Sequence, residues 1–124
     1  MSYDCVCDYD VSFYRARIRK ARKPHKCEEC GSTIRPGEKY EHAFGICEGW
    51  TYSPNTCMPC RDLRQWVKNN VPCFCWAHGS MIDDAKEAIE EARHRAPQET
   101  VGLLFGFLRR KVMLDRANRE RRAA

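Results

Sequence analysis

Apolar and polar positions change their period along this chain of 124 residues. The first half is cut into short segments. Arg15-Ala16-Arg17-Ile18 alternates basic with small or apolar residues, the signature of an exposed strand or extended arm. Residues 27–31 read as a tight knuckle in which Gly31 is free to take a positive φ. Pro36-Gly37 is a turn signal, and Lys39–Phe44 reads as a strand. Gly45 and Gly49 bracket a second turn, Trp50-Thr51-Tyr52 has strand propensity, and Pro54-Asn55-Thr56 breaks it.

The period then becomes helical. Thr56 is placed to cap a helix from Cys57 to Asn69, with Leu63, Trp66 and Val67 on one face. Ser80 is placed to cap a helix from Met81 to Arg95, with Asp83 in the capping-box position. Its narrow apolar stripe is Ile82, Ala85, Ile89 and Ala92. Pro97 stops that helix and opens the next, Glu99 to Arg119. There Leu104, Phe105, Leu108 and Val112, with Leu114, are expected on one side. The pattern predicts an α+β fold, with helices 81–95 and 99–119 paired as a C-terminal hairpin. Residues 1–79 form the expected first module and 80–124 a helical appendage.

Composition changes this picture by removing most of the core. Aliphatic residues are sparse in residues 1–80, and cysteine supplies much of the apolar fraction. A module this small needs a staple. The chain has nine cysteines. Its first residues carry neither a basic nor an apolar leader, and the apolar run 101–108 is too short to span a bilayer. The expected setting is cytoplasmic, where cysteine clusters bind metal more often than they form disulfides.

Two Cys-x-x-Cys pairs, Cys27/Cys30 and Cys57/Cys60, supply four thiolates. That is the ligand set of a structural zinc ion, closed to water and substrate. A redox dithiol would need a βαβ setting that this stretch lacks. Two Cys-x-Cys pairs, Cys5/Cys7 and Cys73/Cys75, are expected to hold a second zinc ion, with His78 as an alternate ligand. Cys47 is left over. The order of knuckle, hairpin and helix led by Cys-x-x-Cys resembles the treble-clef and zinc-ribbon group over residues 24–70. The motifs "ARKPHKCEEC", "TCMPC" and "CFCW", after an N-terminal Cys-x-Cys-Asp, resemble small cysteine-rich proteins of bacteriophages and prophages over residues 5–78. That resemblance implies a setting in a bacterial host cytosol and no mechanism.

Charge and motifs narrow the function. There is no Gly-rich phosphate loop, GxSxG or HExxH, so no enzyme is expected. The formal charge is +5. Each zinc held by four thiolates carries a net −2, so the balance falls to about +3 or +1 and argues little for nucleic acid by itself. The local run Arg15, Arg17, Arg19, Lys20, Arg22 and Lys23 argues for it better, with nearby aromatics for stacking. The favoured function is recognition of a host or phage protein through Leu104, Phe105, Leu108 and Val112, a surface that also suits a homodimer. Nucleic-acid binding through residues 15–26 is the alternative, and no membrane partner is expected.

Overall fold

The computed structural model describes residues 11–123. The fold is α+β, with small antiparallel sheets and three helices. Strand β1 (Val11–Lys20) pairs antiparallel with β4 (Lys39–Cys47) and forms the edge of the main sheet. The other side of β4 is shared between β5 (Trp50–Tyr52) and β6 (Asn55–Cys57). A separate two-stranded ladder, β2 (His25–Lys26) with β3 (Thr33–Ile34), carries the knuckle between its strands. Gly31 takes φ +74° there, as the knuckle requires.

Three local expectations are corrected. Strand β4 runs through Gly45 to Cys47, and the turn is Glu48-Gly49. Gly45 is needed inside the strand because the Tyr52 ring occupies the space over it: a Cβ there would sit 2.3 Å from Tyr52 Cζ. Thr56 is not a cap. It belongs to β6, and α1 (Met58–Asn70) starts after Cys57, with Pro59 in its first turn. Ser80 does precede α2 (Met81–Arg95), but its hydroxyl bonds Asp84, whose carboxylate also accepts from the Ala77 N–H. Asp84, rather than Asp83, organises that entry.

The largest correction concerns the C-terminal helices. The chain turns through Gly102 (φ +84°), and α3 begins at Leu103 and runs to Ala123. It packs along α1 instead of forming a hairpin chiefly with α2. Phe107 and Leu114 are the buried apolar residues of α3, so the helix docks on the side opposite Phe105. They share one cluster with Leu63 and Val67 of α1, Met81, Ala85 and Ile89 of α2, and Cys27, Cys57 and Cys60. Trp66 covers Gly106, where a Cβ would sit 3.0 Å from its Cζ2, and takes the Arg110 guanidinium 4.5 Å above its ring. Side chains of α3 thus complete the core that residues 1–80 alone would leave thin.

A candidate four-sulfur metal centre and its surroundings

The knuckle and the start of α1 bring Cys27, Cys30, Cys57 and Cys60 together, their sulfur atoms all within 4.8 Å of one another. Cys30 Sγ and Cys57 Sγ are 3.7 Å apart. A tetrahedral ion with sulfur at about 2.3 Å has S···S edges of about 3.8 Å, so the spacing fits one. Cys27, Cys57 and Cys60 are buried and Cys30 is half-buried. The Cys57 N–H donates to Cys27 Sγ at 3.4 Å. Four crowded sulfurs cannot all ionise without a cation. Hydrogen bonds from Cys27, Cys57 and Cys60 pull the Cys30 thiol down, while those to Cys27, Cys30 and Cys57, with burial, push Cys60 up. A dication removes that conflict by stabilising all four thiolates at once.

Neighbouring groups tie this centre to the helices. The Ser32 hydroxyl lies 2.9 Å from Cys30 Sγ, and Arg121 Nη1, from the end of α3, donates to the same hydroxyl at 3.3 Å. Arg121 also donates to Glu38 at 2.7 Å, Asn118 Oδ1 at 2.8 Å and the Thr33 carbonyl at 2.9 Å. On the other side, the Glu29 carboxylate accepts from the Gly79 N–H and, at 3.1 Å, from the Met81 N–H at the start of α2. Burial raises the Glu29 carboxyl above its usual range, and the two N–H donors oppose that. The knuckle is therefore gripped by α2 through Glu29 and by α3 through Arg121.

For the expected second centre, Cys5 and Cys7 lie outside the described residues. Cys73 and Cys75 place their sulfurs 4.0 Å apart, too far to be bonded to one another. Both are in the disulfide state in this structure. His78, the alternate ligand, sits in an aromatic cluster instead. Its Nε2 is 2.8 Å from the Tyr14 hydroxyl, and the rings of Tyr14, Tyr52 and Trp76 lie 4.7–6.3 Å from its own. Burial pushes its pKa down to about 4, so the ring is neutral. Cys47 is half-buried and lines the same 740 Å³ cavity as His78, Tyr14 and Tyr52.

The basic residues divide by strand alternation. Arg15, Arg17 and Arg19 share one face with Phe13, His42 and Phe44 around a 440 Å³ surface cavity. Phe13 and Phe44 meet edge-to-face, with ring centroids 6.1 Å apart. Lys20, Arg22 and Lys23 line a different hollow with His25 and Tyr40, and Arg19 borders both hollows. The six candidates thus form two groups.

Of the four apolar candidates on α3, Phe105, Leu108 and Val112 are exposed. Leu104 is half-buried and packs against the core, because it lies toward the docked side of the helix. Sequence reading missed the Glu41–Arg64 pair. Arg64 Nη2 donates to Glu41 Oε2 at 2.5 Å, Arg61 Nε approaches the same oxygen at 3.3 Å, and the Arg64 guanidinium lies 4.7 Å above Trp76. A charged residue between Tyr40 and His42 in a strand reads as solvent-facing, which hides the role of Glu41. Among the described residues no helix is long and apolar enough to cross a membrane. No protein-family model matches the chain, and no curated protein or solved structure matches it either.

Proposed function

We propose that this chain is a non-enzymatic binding protein, stapled by zinc, whose recognition surface lies on α3. One observation carries the reading: Phe105, Leu108 and Val112 are 73%, 46% and 56% exposed on a helix whose opposite side is docked. Contiguous exposed apolar groups of this size mark interaction sites. The four-sulfur centre supports zinc as the staple, since a closed tetrahedral thiolate shell is the structural form of that ion. Knuckle, strands and helix follow one another in treble-clef order, which supports that architecture for residues 24–70. In the reduced protein Cys5, Cys7, Cys73 and Cys75 are the proposed second site, which the disulfide state of Cys73 and Cys75 would disable. Elemental analysis of reduced protein should give two zinc per chain; one would remove the second site, and none would remove both.

The partner class is a host or phage protein. The test compares capture from a bacterial lysate by the wild type and by Phe105→Asp, with circular dichroism and zinc content as folding controls. A protein enriched by the first and lost by the second supports the reading. Equal capture by both removes α3 as the surface.

The β1–β4 face favours a second reading, binding of single-stranded nucleic acid. Arg15, Arg17 and Arg19 recur every second residue, about 7 Å apart along the strand. Phe13 and Phe44, 47% and 40% exposed, offer ring faces beside them. The bland account is that arginines protect an edge strand from pairing with other chains. The two separate by salt: three phosphate contacts give a slope of about −2 in log K against log salt. Absence of binding to random single strands at low salt removes this reading.

A further inference from the structure

The charge around the α3 stripe says what kind of partner suits it. Arg109 lies four residues after Phe105, and Arg116 four residues after Val112, so both fall on the exposed side with the stripe. Arg119 lies seven residues after Val112 and continues that side. None of these three arginines makes an ion pair among the described residues. The neighbouring cations are engaged: Asp115 holds Lys111 at 2.8 Å and Glu38 holds Arg121 at 2.7 Å. Asp115 is thereby occupied, and Glu120 is the other acid on this stretch. At the stripe's N-terminal end, Val101 is 85% exposed and shares a 450 Å³ hollow with Pro97, Leu104 and Phe105.

We infer that this surface binds an acidic amphipathic helix of a partner protein, an inference that rests on the α3 reading above. The partner's apolar side packs on Phe105, Leu108 and Val112, and its carboxylates reach Arg109, Arg116 and Arg119. From Phe105 to Arg119 the helix rises about 21 Å, so about four turns of partner helix span it. Helix-in-groove recognition uses anchors at this i, i+3, i+7 spacing.

Other occupants fit worse. A second copy's α3 brings three uncompensated arginines against the same three. The acidic side of α2, with Glu87, Glu90 and Glu91, has no apolar anchors to offer, because Ala85, Ala88, Ile89 and Ala92 are buried. A nucleic acid would use the arginines and leave Phe105 and Leu108 without a role.

The test uses the full zinc-loaded chain and three fluorescent helical peptides of about 18 residues. They share one apolar face and carry Glu, Gln or Lys on the polar face. Anisotropy should show the Glu peptide binding at least tenfold tighter than the Gln peptide. Arg109→Ala with Arg116→Ala should collapse that gap. Phe105→Asp should abolish binding of all three, and Val112→Asp provides a second exposed variant should the first lose zinc or helicity. Equal binding of Glu and Gln peptides, or preference for Lys, overturns the acidic partner while leaving α3 as the surface. Failure of every peptide, or binding indifferent to both Asp variants, overturns both. A concentration-dependent dimer abolished by Phe105→Asp assigns the stripe to a second copy and overturns the inference.

Discussion

Replacing Arg64 by Met tests whether the Glu41–Arg64 pair holds the sheet to α1. Glu41 and Arg64 are 5% and 6% exposed. Without Arg64, the Glu41 carboxylate stays buried with one cation near, Arg61 at 3.3 Å, whose side chain is 34% exposed. Breaking a buried pair by removing one partner costs about 3–5 kcal/mol. The lost contact with Trp76 adds up to about 2 kcal/mol, and a thioether on the same ring recovers about 0.3–1.5 kcal/mol. Arg61 can swing toward Glu41, which places the net loss at about 3 kcal/mol. That is a large part of the ~5–15 kcal/mol that holds a domain together. Urea unfolding of zinc-loaded protein, read by tryptophan fluorescence and circular dichroism, measures it. The double variant Glu41→Leu/Arg64→Met should recover most of the loss, because neither charge is then left buried alone. A cost below about 1 kcal/mol for Arg64→Met, or simple additivity in the double variant, would refute the reasoning.

Three further outcomes follow from the same structure. Stripping zinc should unfold the knuckle and the start of α1. The apparent folding contribution of a structural zinc, about 10–16 kcal/mol, matches or exceeds the whole stability of a domain; an unchanged thermal melt with chelator contradicts the staple. Gly45→Ala should displace Tyr52, whose ring atoms lie 2.3–2.6 Å from the new Cβ, at a cost of about 1–3 kcal/mol by urea melts. Tyr52→Ala in the same chain should relieve that clash, and a neutral Gly45→Ala would show that the seat is not needed. His78 is held neutral with a pKa of about 4, below the ordinary value of about 6.5. The unfolded chain therefore takes up its proton first, and stability falls as pH drops from about 6.5 toward 4, then levels. His78→Phe escapes that loss, so its deficit relative to wild type at pH 7.5 should shrink at pH 5.5 in urea melts. A constant deficit would mean that His78 is not buried neutral.

The four-sulfur centre was legible because its ligands come as two close pairs, and thiolate spacing needs little knowledge of the fold between them. The exposed strand and the bulk of α1 and α2 were legible from period alone. The docking side of α3 was not. Apolar residues lie on both sides of it, and only α1, through Trp66 and Leu63, decides that Phe107 and Leu114 go in while Phe105 and Leu108 stay out. The start of that helix was set too early because Pro97 suits a first helical position, whereas the chain spends residues 97–102 turning through Gly102. Arg121 lies beyond the helix end that the sequence pattern sets at Arg119. It donates five hydrogen bonds, to residues 83–89 positions away or to Asn118, a pairing that no local pattern announces.

That Arg121 contact would make the proposed metal and the proposed partner thermodynamically conjugate. The guanidinium touches Ser32, which touches Cys30, while the same helix displays Phe105 and Leu108 about four turns away. If loading the ion firms the seat of α3, an occupant of α3 must raise the affinity for the ion by the same factor, since linkage of binding free energies is reciprocal. The zinc affinity measured by competition with a chelator would then become a gauge of what the helix is holding, readable without a label on either molecule.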